Sequence, residues 1–342
     1  MKNYTVFIAD DYKIPEIMDE IAVRLEEKGI HVIRGPKTKK GKRLMYPNES
    51  LEELFGNADV AMFSSRSICD NRIIEMAPKL RGIVNPTIAV DTIDVKLATE
   101  KGILVGNGAI PENYIEMSEA TVMLMLMLMY DPFKSMRLLR EDLPEPSLHE
   151  HWARMMYKKT VGLLGLGRIG REVADRLAAW NMDIIAYDPY IDRKNVPDYI
   201  EMVDLDNLYA ISHIHDVFLI VPDETTGMIN GHAFGKMKDG VRFVNTSRGQ
   251  VVDEDALAEA LKSGKVASAA LDTFQVEPLP KDSPLRKMDT VILTPHIVGH
   301  ALECQLKLPE AAVENIMNIL DGVPPKYLVN PGALEKFQER IK

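Results

Sequence analysis

Short apolar runs alternate with longer stretches of helical periodicity along most of the chain. Residues 4–9 form a β-rich run. Residues 14–28 follow with apolar positions at helical spacing, and Gly29 stops them. Further strand candidates fall at 31–33, 58–63, 81–84 and 103–105, with a helical stretch at 70–76. Strands separated by helices need crossover connections, which implies parallel pairing in an open α/β sheet.

Residues 116–130 contain the run MLMLMLM. Alternation between two apolar residue types is not the apolar/polar alternation of a half-buried strand. Met and Leu favour helix and disfavour strand. The segment therefore reads as one long helix, apolar on most faces and placed in a core or a subunit interface. Two prolines in residues 141–147 predict an exposed connection. A second αβ series follows. Its strands are predicted at 160–164, 183–187, 217–221, 242–245, 267–271 and 291–293, and its helices at 172–180 and 256–262. A last long helix is expected near 309–320, ending at Gly322-Val323-Pro324-Pro325. The length of 342 residues suits two domains of related design.

Composition narrows the function classes. Apolar residues make up 46% and charged residues 27%, which argues against wholesale disorder. Lys plus Arg is 41 and Asp plus Glu 51, a net charge of −10. An acidic surface repels phosphate backbones, so no nucleic-acid partner is expected. The densest basic stretch, 37–43, reads as a solvated loop. Cys69 and Cys304 have no Cys or His at metal-ligand spacing and form no disulfide framework, which fits a reduced, cytoplasmic setting. An acidic pair follows too soon after the N-terminus for a secretory signal. The longest apolar run, 122–130, is far short of the roughly 20 residues a membrane span needs.

The sharpest chemical signal is Gly165-Leu166-Gly167-Arg168-Ile169-Gly170. A strand precedes it, a helix begins near Arg168, and a second strand ends at Asp188. Gly165 permits a tight turn, Gly167 lets backbone approach a pyrophosphate, and Gly170 lets helix pack close to strand. The free N–H groups of a helix start suit an anion. Asp188 stands where a carboxylate accepts from adenosine ribose hydroxyls, which favours NAD over NADP unless Arg193 folds back. Tyr190 is a candidate to lie against the adenine. Three further segments fall at expected strand ends: Asn245-Thr246-Ser247-Arg248-Gly249, Leu271 through Pro278, and Thr294-Pro295-His296. Ligands of open α/β sheets bind beyond the carboxyl ends of strands, so Arg248, Glu277 and His296 are candidates to converge there.

In the order GLGRIG, Asp188, NTSRG, DTFQVEP and TPH, the sequence resembles the D-isomer-specific 2-hydroxyacid dehydrogenases between about residues 63 and 299. The resemblance implies two Rossmann-like domains with parallel sheets. A flavodoxin-like substrate domain would comprise 1–113 plus 303–342, and an NAD-binding domain 114–302. It implies a homodimer joined through the NAD-binding domains, with the Met/Leu helix at the contact. Arg248 would grip the carboxylate of a 2-oxo acid. His296 would exchange the proton of the carbinol, and Glu277 would stabilise its imidazolium form. Gly165, Gly167, Arg168, Ile169, Gly170, Asp188, Val221, Pro222, Thr246, Ser247, Asp272 and His296 would hold the cofactor, Asp272 on its nicotinamide side. Ser65, Arg66, Thr87, Ile88 and Arg248 would meet the substrate.

Departures from the family pattern gather in the substrate loops. Thr87 and Ala89 stand where glycines are usual, in a loop whose amides ordinarily approach the substrate carboxylate. The Arg of 64–67 is shifted, leaving Arg66 to face substrate or solvent. The stretch from Pro222 to Gly227 is about two residues shorter than usual. His300 follows His296 by four residues, but with no third ligand the pair predicts no metal site. Formate dehydrogenases usually carry Gln at the position of Glu277, so formate is disfavoured as substrate. A phosphite-type dehydrogenase and a dinucleotide-sensing interaction protein of the corepressor type are the alternatives.

Overall fold

A computed structural model describes residues 3–147, 153–219 and 223–340. The chain divides into two compact units, Met1–Asn113 with Ala301–Lys342, and Tyr114–His300. Among the described residues, the first unit holds a parallel sheet of β1 (Thr5–Ile8), β2 (His31–Arg34), β3 (Val60–Met62), β4 (Gly82–Val84) and β5 (Leu104–Gly106), in the order β2-β1-β3-β4-β5. Both faces are covered, as parallel sheets require. Val6, Ile8, Val60 and Val84 pack with the helices Pro15–Glu27 and Leu302–Leu320. Phe7, Ala61, Ile83 and Val105 meet the other face, where Phe7, Tyr46, Phe55 and Phe63 form an aromatic cluster.

The second unit carries β6 (Thr160–Leu164), β7 (Asp183–Tyr187), β8 (Ile200–Met202), β9 (Ile214–Val217), β10 (Val241–Asn245), β11 (Val266–Leu271) and β12 (Val291–Leu293). They form a parallel sheet in the order β12-β11-β10-β9-β6-β7-β8. The order reverses between β6 and β9, and that switch point is where a doubly wound sheet opens to a ligand. The Met/Leu segment is helical from Pro111 to Tyr130, earlier than its apolar run suggests. Val122, Leu124, Met125 and Leu128 bury with Val161, Leu163 and Val244 of β6 and β10.

Two expected elements differ in extent. The strand expected at 217–221 is β9, which ends at Val217. Its register is set by Leu163↔Asp216 and Val244↔Asp216 pairing on either side. The polar residues His215 and Asp216 disguise it as a loop, while Phe218 and Leu219 lie outside the strand and residues 220 and 221 of the expected strand lie outside the described residues. The last long helix begins at Leu302, with Pro309 inside it. A proline is at home in a first helical turn, which suggested a later start. Burial of Cys304 and Leu308 ahead of it, and of Ala312 and Ile316 behind, carries the helix through. Short elements such as Val95–Glu100, Leu205–Ile211 and Gly231–Lys236 escaped the periodicity reading. Their starts are marked instead by the capping side chains of Asp94, Asp204 and Asn230.

Candidate active site

The glycine-rich turn follows β6 at the switch point. Gly165 has φ +99°, a left-handed backbone that side chains rarely adopt. A Cβ there would also lie 2.9 Å from the Phe218 carbonyl oxygen, just beyond β9. At Gly170 a Cβ would lie 2.7 Å from the Gly165 oxygen, so both glycines are required by close backbone approach. The space a Cβ would fill at Gly167 is open. Gly167 caps the helix Arg168–Ala178 without a side-chain bond, and no acid occupies its first turn. Unsatisfied N–H groups at a helix start are the donors a pyrophosphate needs. Arg168 is exposed there and Ile169 half-buried. These residues fit a dinucleotide.

Asp188, beyond β7, already has two backbone partners. Its Oδ2 accepts the Leu166 N–H at 3.0 Å and its Oδ1 the Tyr190 N–H at 3.0 Å. The carboxylate thus braces the glycine turn, and each oxygen retains acceptor capacity for a hydroxyl. Tyr190 is exposed, and its hydroxyl donates to Glu224 Oε2 at 2.7 Å. Val221 and Pro222 lie outside the described residues.

Three loops leave the neighbouring carboxyl ends of β10, β11 and β12. After β10, Asn245 Oδ1 accepts from the Ser247 N–H and hydroxyl at 3.1 and 2.9 Å, and Asn245 Nδ2 donates to the Arg248 carbonyl at 3.0 Å. Arg248 is half-buried, and its Nη1 donates to the Ser247 carbonyl at 2.7 Å. Thr246 is tied to the Met/Leu helix through a 3.2 Å contact between its Oγ1 and that of Thr121. A Cβ on Gly249 would sit 1.9 Å from the Phe274 carbonyl carbon. Only glycine allows this approach, which locks the Arg248 loop against the loop carrying Glu277.

His296 Nδ1 lies 2.8 and 3.0 Å from the two oxygens of Glu277. His296 is left-handed, φ +58°, an unusual conformation for a residue with a Cβ. The responsible contacts come from Asp272, at the end of β11 and 1% exposed. Its Oδ1 accepts from Thr294 Oγ1 at 2.7 Å, the Ile297 N–H at 3.0 Å and the Val298 N–H at 3.2 Å. Left-handed strain costs of order 1–3 kcal/mol. An ordinary hydrogen bond contributes about 0.5–1.5 kcal/mol net, so three of them offset the strain. Burial pushes the Asp272 carboxyl up from its ordinary range, while the Thr294 bond, the His296 charge and the two amides pull it down.

The substrate candidates Ser65, Arg66, Thr87 and Ile88 lie beyond β3 and β4 in the first unit. Arg66 is buried, 8% exposed, with its guanidinium 5.9 Å from the Tyr12 ring centroid and Nε 3.2 Å from Ser65 Oγ. It is not a solvated arginine. The Thr87 N–H and hydroxyl both donate to Asn85 Oδ1, at 2.9 and 3.0 Å. The Ile88 carbonyl accepts from Asn107 Nδ2 at 2.8 Å. The Asn85 side chain thereby takes up the Thr87 amide, and the Thr87 hydroxyl adds a second bond to the same oxygen.

A family model described as D-isomer specific 2-hydroxyacid dehydrogenase, NAD binding domain, matches residues 122–298. The D-3-phosphoglycerate dehydrogenase of Archaeoglobus fulgidus is 38% identical over 278 residues, covering 79% of this chain and 51% of that protein. The glyoxylate reductase of Thermofilum pendens is 34% identical over 303 residues, 86% of this chain and 88% of that one. The crystal structure of a glyoxylate reductase from Paecilomyes thermophila superposes with a TM-score of 0.83 at 26% identity, covering 96% of this chain and 99% of that one. The chain belongs to the D-isomer specific 2-hydroxyacid dehydrogenase family. Its second unit is the NAD-binding domain of that family, and the chain spans about half the length of the phosphoglycerate dehydrogenase it matches.

Proposed function

We propose that the chain is an NAD-dependent dehydrogenase interconverting a small D-2-hydroxy acid and its 2-oxo acid. The observation that carries this reading is the His296–Glu277 pair. Both oxygens of the Glu277 carboxylate lie within hydrogen-bond distance of Nδ1, which keeps a proton there, so Nε2 is the nitrogen left to exchange one with substrate. In the direction of reduction His296 donates a proton from Nε2 to the carbonyl oxygen, and Glu277 holds the ring through Nδ1. Arg248 grips the substrate carboxylate through its guanidinium fork. The bound nicotinamide supplies the hydride. Asp188, on the turn that receives the dinucleotide, reads the ribose, and its charge opposes a 2′-phosphate. The loops of Ser65, Arg66, Thr87 and Ile88 are assigned to the substrate's variable group.

The test is NADH oxidation with glyoxylate, hydroxypyruvate, pyruvate, and branched and aromatic 2-oxo acids. Consumption with at least one acid is expected, and weaker turnover with NADPH that Asp188→Ala relieves. Arg248→Ala should lower kcat/KM roughly 10- to 100-fold, the equivalent of one charged hydrogen bond. NADH binding without turnover on the whole panel would replace the enzyme by a dinucleotide sensor.

The same reading includes a homodimer joined through the NAD-binding unit, in a cytoplasmic setting that suits the buried thiols Cys69 and Cys304. The helix Pro132–Arg140 buries none of its residues, yet Phe133, Met136 and Leu139 are apolar and 54%, 44% and 86% exposed. Such a face asks for a partner. Sedimentation should give twice the chain mass, and Leu139→Glu should shift it toward the monomer. A wild-type monomer at micromolar concentration would remove this part of the proposal.

A further inference from the structure

The Asp272 carboxylate is the most heavily used acceptor beside the proposed proton donor. One oxygen gathers the Thr294 hydroxyl and the N–H groups of Ile297 and Val298, which are residues on both sides of His296. The backbone enters and leaves the histidine pinned to a single atom, and the left-handed φ of +58° is the conformation that closes this loop. Asp272 is itself anchored, since its N–H donates to the Asn245 carbonyl at 3.1 Å. Asn245 in turn orders Ser247 and the Arg248 carbonyl through its side chain. Two buried strand-end residues, Asn245 and Asp272, each 1% exposed, thus organise the loops of Arg248 and His296 together.

We infer that Asp272 is a positioning residue for His296, holding the loop 294–298 so that the imidazole meets Glu277. This rests on the proton-exchange reading of His296. What the clamp requires at residue 272 is an acceptor oxygen in the right place. It does not require a negative charge.

That distinction sets the experiment. Asp272→Asn keeps an oxygen at Oδ1, while Asp272→Ala removes it. The alanine variant should lose roughly 100-fold or more in kcat, the scale of a displaced general acid. Its NADH affinity, measured by fluorescence titration, should stay within about threefold of wild type, and its pH–rate profile should change shape. The asparagine variant should recover most of kcat and the wild-type profile. Thr294→Val, which deletes one of the three donors, serves in place of Asp272→Ala if that protein does not fold, and should give a smaller loss of the same kind. An asparagine variant as impaired as alanine would overturn the inference in favour of a charge requirement. A large loss of NADH affinity with kcat retained at saturating NADH would overturn it in favour of a cofactor contact. The His296 imidazole resonance provides a readout without turnover. It should move in Asp272→Ala and return in Asp272→Asn. Should the wild type reduce no 2-oxo acid, the dehydrogenase reading falls while this spectrum still decides the clamp, and an unmoved resonance rejects it.

Discussion

His296→Ala is expected to lower turnover by roughly 10²- to 10⁴-fold, the usual range for removing a positioned proton donor. NADH affinity should be nearly unchanged, because the glycine turn, Asp188 and the helix start at Arg168 lie at the switch point between β6 and β9, whereas His296 stands at the far edge of the sheet beyond β12. A general-acid role predicts a fall in kcat that more acidic buffer does not restore. Glu277→Gln should have a smaller effect of the same sign, since the amide can still bond to Nδ1 but no longer stabilises the charged ring. Stopped-flow measurement of NADH oxidation at saturating oxo acid checks both. A His296→Ala enzyme within about tenfold of wild type would assign the proton to another group.

The second large effect is on stability. Asp216→Val should make the second unit more stable, and the gain should grow with pH. Asp216 sits in the middle of the sheet on β9, fully buried, and neither carboxyl oxygen has a well-formed hydrogen bond, the nearest donor being the Val217 amide. Its strand neighbours on that face are Leu163 and Val244. Arg242, farther back along β10 on the same face, directs its bonds to the carbonyls of Leu128 and Gly240. Burial drives the Asp216 carboxyl far above its ordinary range, and the Val217 amide beside it only partly opposes this. The native protein therefore holds this proton more tightly than the unfolded chain does. The resulting contribution is fully present below the ordinary carboxylate range, near pH 4, and is lost as pH rises toward the elevated native value. Valine removes the titration, suits a strand and leaves no orphaned acceptor. A gain of about 1–3 kcal/mol is the scale for an unsatisfied buried polar group. Denaturant titrations at pH 5 and pH 8 should show a larger gain at pH 8. Equal or negative changes at both would show that Asp216 finds a partner in solution.

Legibility in the sequence followed how local the physics is. The turn at Gly165, Gly167 and Gly170 depends on spacing within a few residues, and each glycine proves to answer a backbone requirement or leave open space. The His296–Glu277 pairing was visible only through the resemblance, because it joins residues from different strand ends. The bracing of Leu166 by Asp188 was not legible, nor was the capture of the Thr87 amide by Asn85. Both are set by side-chain rotamers after the strands have fixed the ends of their loops. β9 was misplaced because its pairing partners, not its own apolar content, determine its extent. Pro309 misled for a related reason: burial on both sides of it outweighs one missing hydrogen bond.

The first unit is assembled from both ends of this chain, with the second inserted between them. During synthesis from the N-terminus, β1 to β5 leave the ribosome long before the helix Leu302–Leu320 that covers one of their faces. The nucleotide-binding insert can therefore acquire its structure while its neighbour is still a half-covered sheet, with the Pro15–Glu27 helix in place but Val60 and Val84 lacking the Leu302–Leu320 helix. Nascent chains halted near residue 300 should resist protease across the insert and be cut readily within the first hundred residues. A late-arriving cover of this kind makes the apolar face of β1, β3 and β4 the natural place for chaperones to bind.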